Sequence, residues 1–299
     1  MEDRAGAPAS KRVAAVIVNY NAGEALSECV ASLASAGVSE IVVVDNKSSD
    51  GSAELAARGF PHIKTLFPTR NLGYGGGANF GAKHTSAEYI LVCNPDLTVC
   101  PGGVAALEST LDNRPEIALT GPMLLESSGV VYPSGREFPG MGEAIGHGFL
   151  GLFWGGNPWT KRYRHIGSDH HTPRLADWVS GAFFLVRRDA FESVGGFDDR
   201  YFMYVEDVDL CWRLKRKGWE IWYDPTAQVV HEQGLSASQH PYKMLVAHHV
   251  SMWRFARQTA EGWERALLPI VALGVVVRLV LSWGEHLVRW RSRVASRHG

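Results

Sequence analysis

The sequence of 299 residues predicts an α/β domain with a mostly parallel central sheet. Continuous apolar runs of strand length alternate with stretches whose apolar residues recur at helical spacing. Strands that are buried on both faces have such continuous runs, and a strand–helix–strand order implies parallel strands joined by right-handed crossovers. Polar residues collect where the apolar runs end, which places them at one edge of the sheet.

The first 100 residues contain four apolar runs in succession. Residues 13–18 form the first strand, a helical stretch contains Leu26, Val30 and Leu33, and the second strand follows at 41–44. A helix at 52–58, a strand at 63–67, a helix at 78–84 and a strand at 89–93 continue the alternation. Ligands bind outside the carboxyl ends of such strands, so we expect residues 19–21, 45–46 and 94–96 to line one crevice.

The second half of the chain is less regular. Residues 129–172 are rich in Gly, Pro, aromatic residues and His, which predicts a long loop region that covers the site. Structure is predicted to resume at 178–187, and a helix at 206–217 and a strand at 220–223 follow. We expect residues 1–12 to be disordered, 13–240 to form the α/β domain and 241–299 to form a helical extension.

Composition excludes several classes of protein. The formal net charge of -1 argues against a surface built to bind nucleic acid. The four cysteines have no CxxC spacing, which favours reduced thiols over a zinc site or a disulfide framework. Residues 1–12 lack the apolar segment of a secretory signal, so we expect the protein to remain in the reducing compartment where it is made.

A glycine-rich motif, RNLGYGGGANFG, occupies residues 70–81. Glycines let a backbone approach a diphosphate closely, and a helix start presents free N–H groups to it. The alternative is a flexible loop at a helix start. The motif lacks GxGxxG spacing and follows the third strand, not the first, which argues against an NAD-dependent oxidoreductase.

The tripeptide 94–96 ends a predicted strand with Asn94 and Asp96, an N-x-D variant of the D-x-D arrangement. Mg²⁺ and Mn²⁺ prefer oxygen ligands and complete their shell with substrate phosphates and water, so one carboxylate suffices. The alternative is an ordinary turn. His231 follows another apolar run and is a candidate metal ligand or phosphate donor, although a lone His is often structural.

Three acidic residues, Glu206, Asp207 and Asp209, crowd the first turn of a predicted helix. The helix dipole favours their ionised forms, and a carboxylate there could take a proton from an acceptor hydroxyl. The alternatives are an acidic set that caps a surface helix and a simple ion pair between Asp209 and Arg213, which are four residues apart.

Taken in order, seven motifs resemble those of the inverting family 2 glycosyltransferases with the GT-A fold, and more narrowly the rhamnosyltransferase-like branch. They span about residues 13–235. The motifs are VIVNYN (16–21), VVDNKSSD (43–50), NLGYGGGAN (71–79), NPD (94–96), SGA (180–182), GGFD (195–198) and YVEDVDLCWR (204–213). Many family members have Asp at the position of Asn94, and its absence here removes one negative charge from the metal site.

The resemblance implies a role for each matching position. The acidic pair supplies the general base, with Asp207 favoured over Glu206. Asp96 binds Mg²⁺ or Mn²⁺ with help from His231, and Arg213 and His231 stabilise the departing diphosphate. The implied acceptor contacts are Trp178 and Gly181. The implied nucleotide-sugar contacts are Asn19, Tyr20, Asn21, Asp45, Asn46, Arg70, Asn71, Gly73, Gly76, Asn79 and Asn94.

The resemblance also implies a substrate pair, namely dTDP-rhamnose as the nucleotide-sugar donor and a polyprenyl-diphosphate-linked N-acetylglucosamine as the acceptor, in synthesis of a cell-wall linker. Another donor, such as a UDP-hexose or UDP-galactofuranose, is an enzymatic alternative. A catalytically silent protein that binds sugar nucleotides or acts as a scaffold is an alternative of another class, although the intact Asp96 and Asp207 argue against it.

The C-terminal extension contains a nearly continuous apolar stretch at 267–281. Pro269 and Arg278 interrupt it, and it is shorter than the ~20 residues of a spanning helix. Arginines and tryptophans follow, which is typical of a helix that lies on an anionic membrane surface. We therefore expect a cytoplasmic protein that is peripheral on the inner face of the plasma membrane. The alternative is a helix that packs on the domain or on a second subunit of a homo-oligomer.

Overall fold

The computed structural model describes residues 10–138, 169–232 and 241–295. These residues fall into two compact units. The first contains residues 10–138, 169–202 and 206–232, and the second contains 203–205 and 241–295. The predicted boundary at residue 240 differs from this division in that residues 203–205 belong to the second unit.

The first unit is built from a large sheet, a two-stranded sheet and flanking helices. Its strands are β1 (Ser10–Asn19), β2 (Val38–Asp45), β3 (Lys64–Leu66), β4 (Tyr89–Cys93), β5 (Leu97–Val99), β6 (Ile117–Leu125), β7 (Val131–Tyr132), β8 (Gly135–Arg136), β9 (Arg174–Ala176), β10 (Trp178–Val179), β11 (Phe183–Arg187) and β12 (Glu220–His231). Its helices are α1 (Ala25–Ser35), α2 (Ser52–Gly59), α3 (Gly73–Ala82), α4 (Gly103–Asn113), α5 (Arg188–Ser193) and α6 (Glu206–Arg216).

The large sheet has the strand order β3-β2-β1-β4-β11-β6-β12-β5. Strands β3, β2, β1 and β4 pair in parallel, β12 pairs in parallel with β6, and β11 runs antiparallel to both β4 and β6. The chain leaves β1 first toward β2 and later returns to β4 on its other side, which opens a crevice at their carboxyl ends. The predicted α/β class with a mostly parallel sheet is confirmed.

Side chains of β1 alternate between two buried layers. Val13 and Ile17 pack with Leu26 of α1 and Leu107 of α4 on one face, and Val16 packs with residues of α3 and α6 on the other. Successive side chains of a strand point to opposite faces, so a strand covered on both sides must be apolar throughout. This double burial explains the continuous apolar runs in the sequence.

Helix α3 begins at Gly73, five residues before the predicted start at 78. Its glycines let the helix lie directly against β1. A Cβ atom at Gly81 would lie 2.3 Å from Cγ1 of Val16, and one at Gly77 would lie 2.8 Å from Cγ1 of Val18. The low helix propensity of glycine is therefore outweighed by close packing between helix and sheet.

Three further boundaries differ from prediction. Strand β1 begins at Ser10, inside the segment 1–12 that we expected to be disordered, and residues 1–9 lie outside the described part. Strand β12 continues past Pro225 to His231 through a register shift between Asp224 and Gln228, whereas the predicted strand ended at 223. The predicted loop region 129–172 contains β7 and β8, and its residues 139–168 lie outside the described part.

The second unit contains α7 (Pro241–Thr259), a 3₁₀ segment (Gly262–Leu267) and α8 (Leu268–Ala295). Within the described residues, one segment of 22 residues, Gly262–Trp283, is long and apolar enough to cross a membrane, with a mean hydropathy of 2.2 and no buried portion. The prediction that this stretch is too short was wrong. Pro269 is the second residue of α8, where a helix tolerates proline, so it does not interrupt the segment.

Candidate functional site

The carboxyl ends of β1 and β2 are joined by the side chain of Asn19, which is wholly buried. Its amide nitrogen donates to Oδ1 of Asp45 at 2.9 Å and to the hydroxyls of Ser52 at 2.9 Å and Ser48 at 3.1 Å. The predicted contact between Asn19 and a nucleotide does not fit this structure, because the side chain has no exposed surface. Asn19 instead orients Asp45.

Two other predicted nucleotide ligands, Asn46 and Asn79, also hold the fold together. The amide nitrogen of Asn46 donates to the carbonyl of Gly73 at 2.8 Å, and its oxygen accepts from the backbone N–H of Leu72 at 2.7 Å. The amide of Asn79 makes hydrogen bonds to both the N–H and the carbonyl of Phe197. These bonds satisfy the amide groups within the chain, so we correct both assignments to positioning roles.

The glycine motif is packed against its neighbours and does not form an open phosphate loop. Gly73 has a φ of 76°, and a Cβ atom there would lie 2.2 Å from the carbonyl oxygen of Phe202. Gly76 is buried within α3, and a Cβ atom there would lie 3.1 Å from Cβ of Leu72. Asn71, whose Oδ1 accepts from the N–H of Gly73 at 2.9 Å, caps the turn that starts the helix. The nucleotide-sugar contacts of Asn71, Gly73 and Gly76 stay predictions.

Four of the predicted nucleotide contacts remain at the crevice with some exposed surface. Arg70 is exposed, Tyr20 and Asn21 are half-buried, and Asp45 is 7% exposed. Asn21 has a positive φ of 49°, and its Oδ1 accepts from the N–H of Ser49 at 2.7 Å, which ties the end of β1 to the loop after β2. The roles of these four residues in donor binding stay predictions.

A second part of the site lies where β5 pairs with the end of β12. This pairing sets His231 opposite Leu97 and brings its Nε2 to 3.3 Å from Oδ1 of Asp96 and 3.3 Å from the amide nitrogen of Asn94. Asp96 is buried, and its Oδ1 has no hydrogen-bond donor in the described part of the chain. The structure thus brings together Asp96 and His231, the two residues predicted as metal ligands, and Asn94, predicted as a nucleotide-sugar contact.

This donor set fits a hard divalent cation. A buried carboxylate oxygen without a donor is costly, and a bound cation relieves that cost. Within residues 10–138, 169–232 and 241–295, no group of three or more His, Cys, Asp and Glu residues is placed to hold a metal. A cation at Asp96 would therefore take its remaining ligands from substrate phosphates and water, as Mg²⁺ commonly does.

The third part of the site is the first turn of α6, where Asp207 is held by backbone groups. Its Oδ2 accepts from the N–H of Gly181 at 2.8 Å, and its Oδ1 accepts from the N–H of Val208 at 2.9 Å. The hydroxyl of Tyr74 donates to the carbonyl of Gly181 at 2.5 Å, which fixes the residue that binds the carboxylate. The N–H of Asn94 donates to the carbonyl of Ala182 at 2.9 Å and joins this loop to the metal corner.

Glu206 and Asp207 have different environments although they are adjacent. Burial raises the pKa of Glu206 to about 8, the charge of Asp207 adds to the rise, and Oε2 of Glu206 has no partner among the described residues. Burial also raises the pKa of Asp207, but the hydrogen bonds from Gly181 and Val208 oppose the rise. With a pKa of about 8, Glu206 is mostly protonated at pH 7, whereas the two backbone hydrogen bonds favour the ionised form of Asp207.

The raised pKa of Glu206 predicts a pH-dependent stability. The folded state keeps a proton between pH 4.5 and about 8 that the unfolded chain releases, so stability falls as pH rises through this window. The glutamine of Glu206→Gln stays neutral at every pH. As pH rises through this window, we expect the free energy of unfolding of the variant to increase relative to that of the wild type by about 1.4 kcal/mol per pH unit.

Urea unfolding of both proteins at pH 5 and pH 8 measures this difference. Glu54→Gln, on the exposed face of α2, is the matched control and should track the wild type at both pH values. A stability difference between Glu206→Gln and the wild type that is the same at both pH values would contradict the assignment.

Arg213 has a structural role. Its Nε donates to Oδ2 of the wholly buried Asp209 at 2.7 Å, and its Nη1 donates to the carbonyls of Val194 at 2.7 Å and Gly196 at 2.8 Å. The intrahelical ion pair that was the alternative interpretation is the arrangement observed. Nη2 of Arg213 has no hydrogen-bond partner among the described residues, and stabilisation of a departing diphosphate by Arg213 stays a prediction.

Sequence reasoning missed two residues near Asp207. Tyr74 lies inside the glycine motif, which we interpreted only through its glycines. Its hydroxyl donates to the carbonyl of Gly181. Arg136 lies opposite Trp178 in the pairing of β8 with β10, and both strands are too short to be recognised from periodicity. Trp178 itself is half-buried, and its indole N–H donates to the carbonyl of Glu137 at 3.1 Å.

Residues 14–195 match the model of the protein family described as "Glycosyl transferase family 2". The chain belongs to glycosyl transferase family 2. It is 38% identical over 266 residues to N-acetylglucosaminyl-diphospho-decaprenol L-rhamnosyltransferase of Mycobacterium tuberculosis, a match that covers 85% of this chain and 86% of that protein. It is also 31% identical over 145 residues to rhamnosyltransferase WbbL of Escherichia coli, covering 48% and 52% of the two chains. The predicted glycosyltransferase class is confirmed.

Solved structures of other glycosyltransferases share the fold of this family 2 member. A mannosyltransferase from Pyrobaculum calidifontis in complex with GDP-Man and Mn²⁺ superposes with a TM-score of 0.58 at 15% identity, covering 98% of this chain and 84% of that chain. GalNAc-T7 with UDP, GalNAc and Mn²⁺ gives a TM-score of 0.56 at 18% identity, covering 75% and 44%. At these identities the likeness supports the fold alone.

Proposed function

We propose that this enzyme transfers L-rhamnose from dTDP-rhamnose to an N-acetylglucosamine linked to a polyprenyl diphosphate, in synthesis of a cell-wall linker. The observation that carries the proposal is the 38% identity to the mycobacterial enzyme, because it extends over 85% of this chain and 86% of that one. A continuous match that covers 85% of the chain includes the helix that holds Asp207.

The donor diphosphate is assigned to the corner formed by Asp96, Asn94 and His231. The unsatisfied, buried Oδ1 of Asp96 supports Mg²⁺ or Mn²⁺ at this position, and two solved structures with this fold are complexes with Mn²⁺ and a nucleotide or nucleotide sugar. When bound, such a cation neutralises negative charge on the leaving diphosphate. His231 and Asn94 contribute the neighbouring polar atoms, and the exposed Arg70 is the cationic residue among the predicted nucleotide-sugar contacts.

Asp207 is the proposed general base. Its carboxylate removes the proton from an acceptor hydroxyl, and the oxygen attacks C1 of the rhamnosyl group on the face opposite the diphosphate. The bond from C1 to the phosphate oxygen breaks, dTDP leaves with its electron pair, and one displacement inverts the anomeric centre. Two backbone N–H groups hold Asp207 in place, and the neutral Glu206 adds no competing charge. Base catalysis of this kind contributes about 10²- to 10⁴-fold.

The reaction is tested with the full-length protein, a short-chain N-acetylglucosaminyl diphosphoryl prenol and Mn²⁺. We expect mass spectrometry to detect the deoxyhexosyl product with dTDP-rhamnose and no hexosyl product with UDP-galactofuranose, UDP-glucose or UDP-galactose. Transfer from a UDP-sugar in place of dTDP-rhamnose would overturn the donor assignment and leave the family assignment intact. Donor binding without transfer to any acceptor would favour a silent binding protein.

The second unit is proposed to hold the enzyme at the inner face of the plasma membrane. The segment Gly262–Trp283 supports this role, because large apolar side chains such as Leu273 and Val280 are 59% and 64% exposed. We expect the full-length protein to float with anionic phospholipid vesicles in a density gradient. Leu273→Glu should abolish flotation, and Glu40→Gln on β2 should not alter it. Flotation by Leu273→Glu equal to that of the wild type would contradict the proposal. Homo-oligomerisation through this segment stays a prediction.

A further inference from the structure

Arg136 is fixed in place by two aromatic rings and one carbonyl. Its guanidinium carbon lies 5.1 Å from the ring centroid of Tyr132 and 5.1 Å from that of Trp178, which is its directly opposite partner in the strand pair. Its Nε donates to the carbonyl of Pro133 at 2.6 Å. Cation–π contacts and one hydrogen bond leave the outer N–H groups of the guanidinium available for a planar anion.

No hydrogen bond or ion pair joins Arg136 to a carboxylate within the described ranges. Of the acidic residues beside the strand pair, Glu137 follows Arg136 in the chain, and Asp177 donates its N–H to the carbonyl of Arg136 at 2.9 Å. The carboxylate of Asp177 is engaged by the ammonium of Lys215 and by the N–H of Phe138, so it is directed to other donors. An arginine that is pre-oriented and lacks a carboxylate partner is suited to bind phosphate.

A second cation lies against the same strand. Arg174 donates through Nη2 to the carbonyl of Gly135 at 3.1 Å, and its guanidinium carbon lies 4.6 Å from the ring centroid of Tyr223. Arg174 also donates to the carbonyl of Asp169. Two arginines on neighbouring strands give this corner a positive potential, which raises the local concentration of anions.

The corner is connected to the proposed base through the backbone. After β10 comes Ser180, whose N–H donates to the carbonyl of Ser134 at 2.8 Å, and then Gly181, whose N–H donates to Asp207. Burial raises the pKa of Asp207, and the positive charge of Arg136 is among the influences that oppose the rise. The hydrogen bonds of Ser180 and Gly181 thus join the strand pair that contains Arg136 to the loop that holds Asp207.

We propose that Arg136, stacked between Tyr132 and Trp178, binds the diphosphate of the lipid-linked acceptor and so sets its sugar hydroxyl at Asp207. This inference rests on the proposed function. The donor carries a diphosphate too, but the donor's diphosphate is assigned to the corner of Asp96 and His231. The acceptor's diphosphate is attached to the same sugar ring that presents the reacting hydroxyl, which matches an anion site connected to the base.

The experiment compares two acceptors with the full-length enzyme. One is N-acetylglucosaminyl diphosphoryl prenol, and the other is a neutral alkyl glycoside of N-acetylglucosamine. Arg136→Gln is expected to raise KM for the first acceptor by about 10- to 100-fold, the effect of removing a charge-assisted hydrogen bond to phosphate. Its kcat/KM for the neutral glycoside and its affinity for dTDP should equal those of the wild type, and Arg136→Lys should be intermediate.

Arg114→Gln is the matched control, because Arg114 also stacks on an aromatic ring, 3.9 Å from the centroid of Trp222, but precedes β6 at the opposite end of the sheet. An equal loss with both acceptors would overturn the proposal and indicate that Arg136 supports the base or the fold. A weaker affinity for dTDP with an unchanged acceptor KM would assign Arg136 to the donor instead.

A binding measurement separates this inference from the proposed function. Farnesyl diphosphate is titrated into the wild type and Arg136→Gln in the presence of saturating dTDP and Mn²⁺, which occupy the donor site. We expect weaker binding in the variant by about 10-fold or more. If rhamnosyl transfer were absent but this difference were present, the proposed function would fail while the anion site stood. Equal binding by both proteins would overturn the anion site whatever the activity.

Discussion

Asp207→Asn is expected to lower kcat by about 10²- to 10⁴-fold and to leave the affinity for dTDP within about twofold of the wild type. The asparagine side chain keeps the size of the carboxylate, and its single oxygen can accept a hydrogen bond from either Gly181 or Val208, but it cannot take a proton. Single-turnover assays with saturating donor and calorimetric titration of dTDP measure the two quantities separately.

The control for Asp207→Asn is Asp189→Asn, which changes an exposed carboxylate in the first turn of α5. An independent route to the same loss is Gly181→Ala, because a Cβ atom there would lie 2.9 Å from Cβ and 3.2 Å from Oδ2 of Asp207. Gly59→Ala adds a Cβ atom into open space and should have full activity. Normal turnover of Asp207→Asn would exclude Asp207 as the base.

Asp96→Asn is expected to remove the Mn²⁺-dependent part of dTDP binding and to lower turnover by at least about 10²-fold. Ligand that binds the native state at about 100 times its Kd stabilises it by roughly 2.7 kcal/mol. We expect the wild type to show a melting-temperature increase with dTDP and Mn²⁺ together, and Asp96→Asn to show none beyond that of dTDP alone.

Two further measurements test the metal assignment. Asn94→Asp adds a carboxylate beside His231 and should tighten Mn²⁺-dependent dTDP binding, since each added oxygen anion strengthens a hard-cation site. Removal of divalent cations with EDTA should abolish turnover of the wild type, and added Mn²⁺ or Mg²⁺ should restore it. Full turnover in EDTA, or an unchanged metal response in Asp96→Asn, would contradict the role of Asp96.

The first half of the fold was predictable because β1, β2 and β4 are buried on both faces and therefore have unbroken apolar runs. Three-residue β5 carries no periodic signal, and it is the strand whose pairing with β12 brings His231 to Asp96. The end of β12 was missed because Pro225 usually terminates a strand, whereas here a register shift absorbs it. Both β5 and the end of β12 are fixed by pairing between strands that are far apart in the sequence, which a local pattern does not show.

The site was predictable in position but less so in the roles of its residues. Asn46 and Asn79 occupy the expected crevice, yet their amides are satisfied by the chain itself, and the amide nitrogen of Asn19 is likewise engaged by Asp45. A sequence shows where polar groups collect, but it does not show which of them are already paired. Arg136 illustrates the converse, because only the structure shows that its neighbouring carboxylate, Asp177, is engaged with other donors.

Strand β11 lies between β4 and β6 although both precede it in the chain, by about 90 and 60 residues. During synthesis, β4 and β6 therefore leave the ribosome before the strand that satisfies their facing backbone groups. Until residue 187 has emerged, these apolar strands present open edges to other nascent chains. Correct folding in the cell thus depends on keeping the open edges of β4 and β6 from pairing with other chains. The strand that fills the space between them, β11, directly follows the loop in which Gly181 binds Asp207.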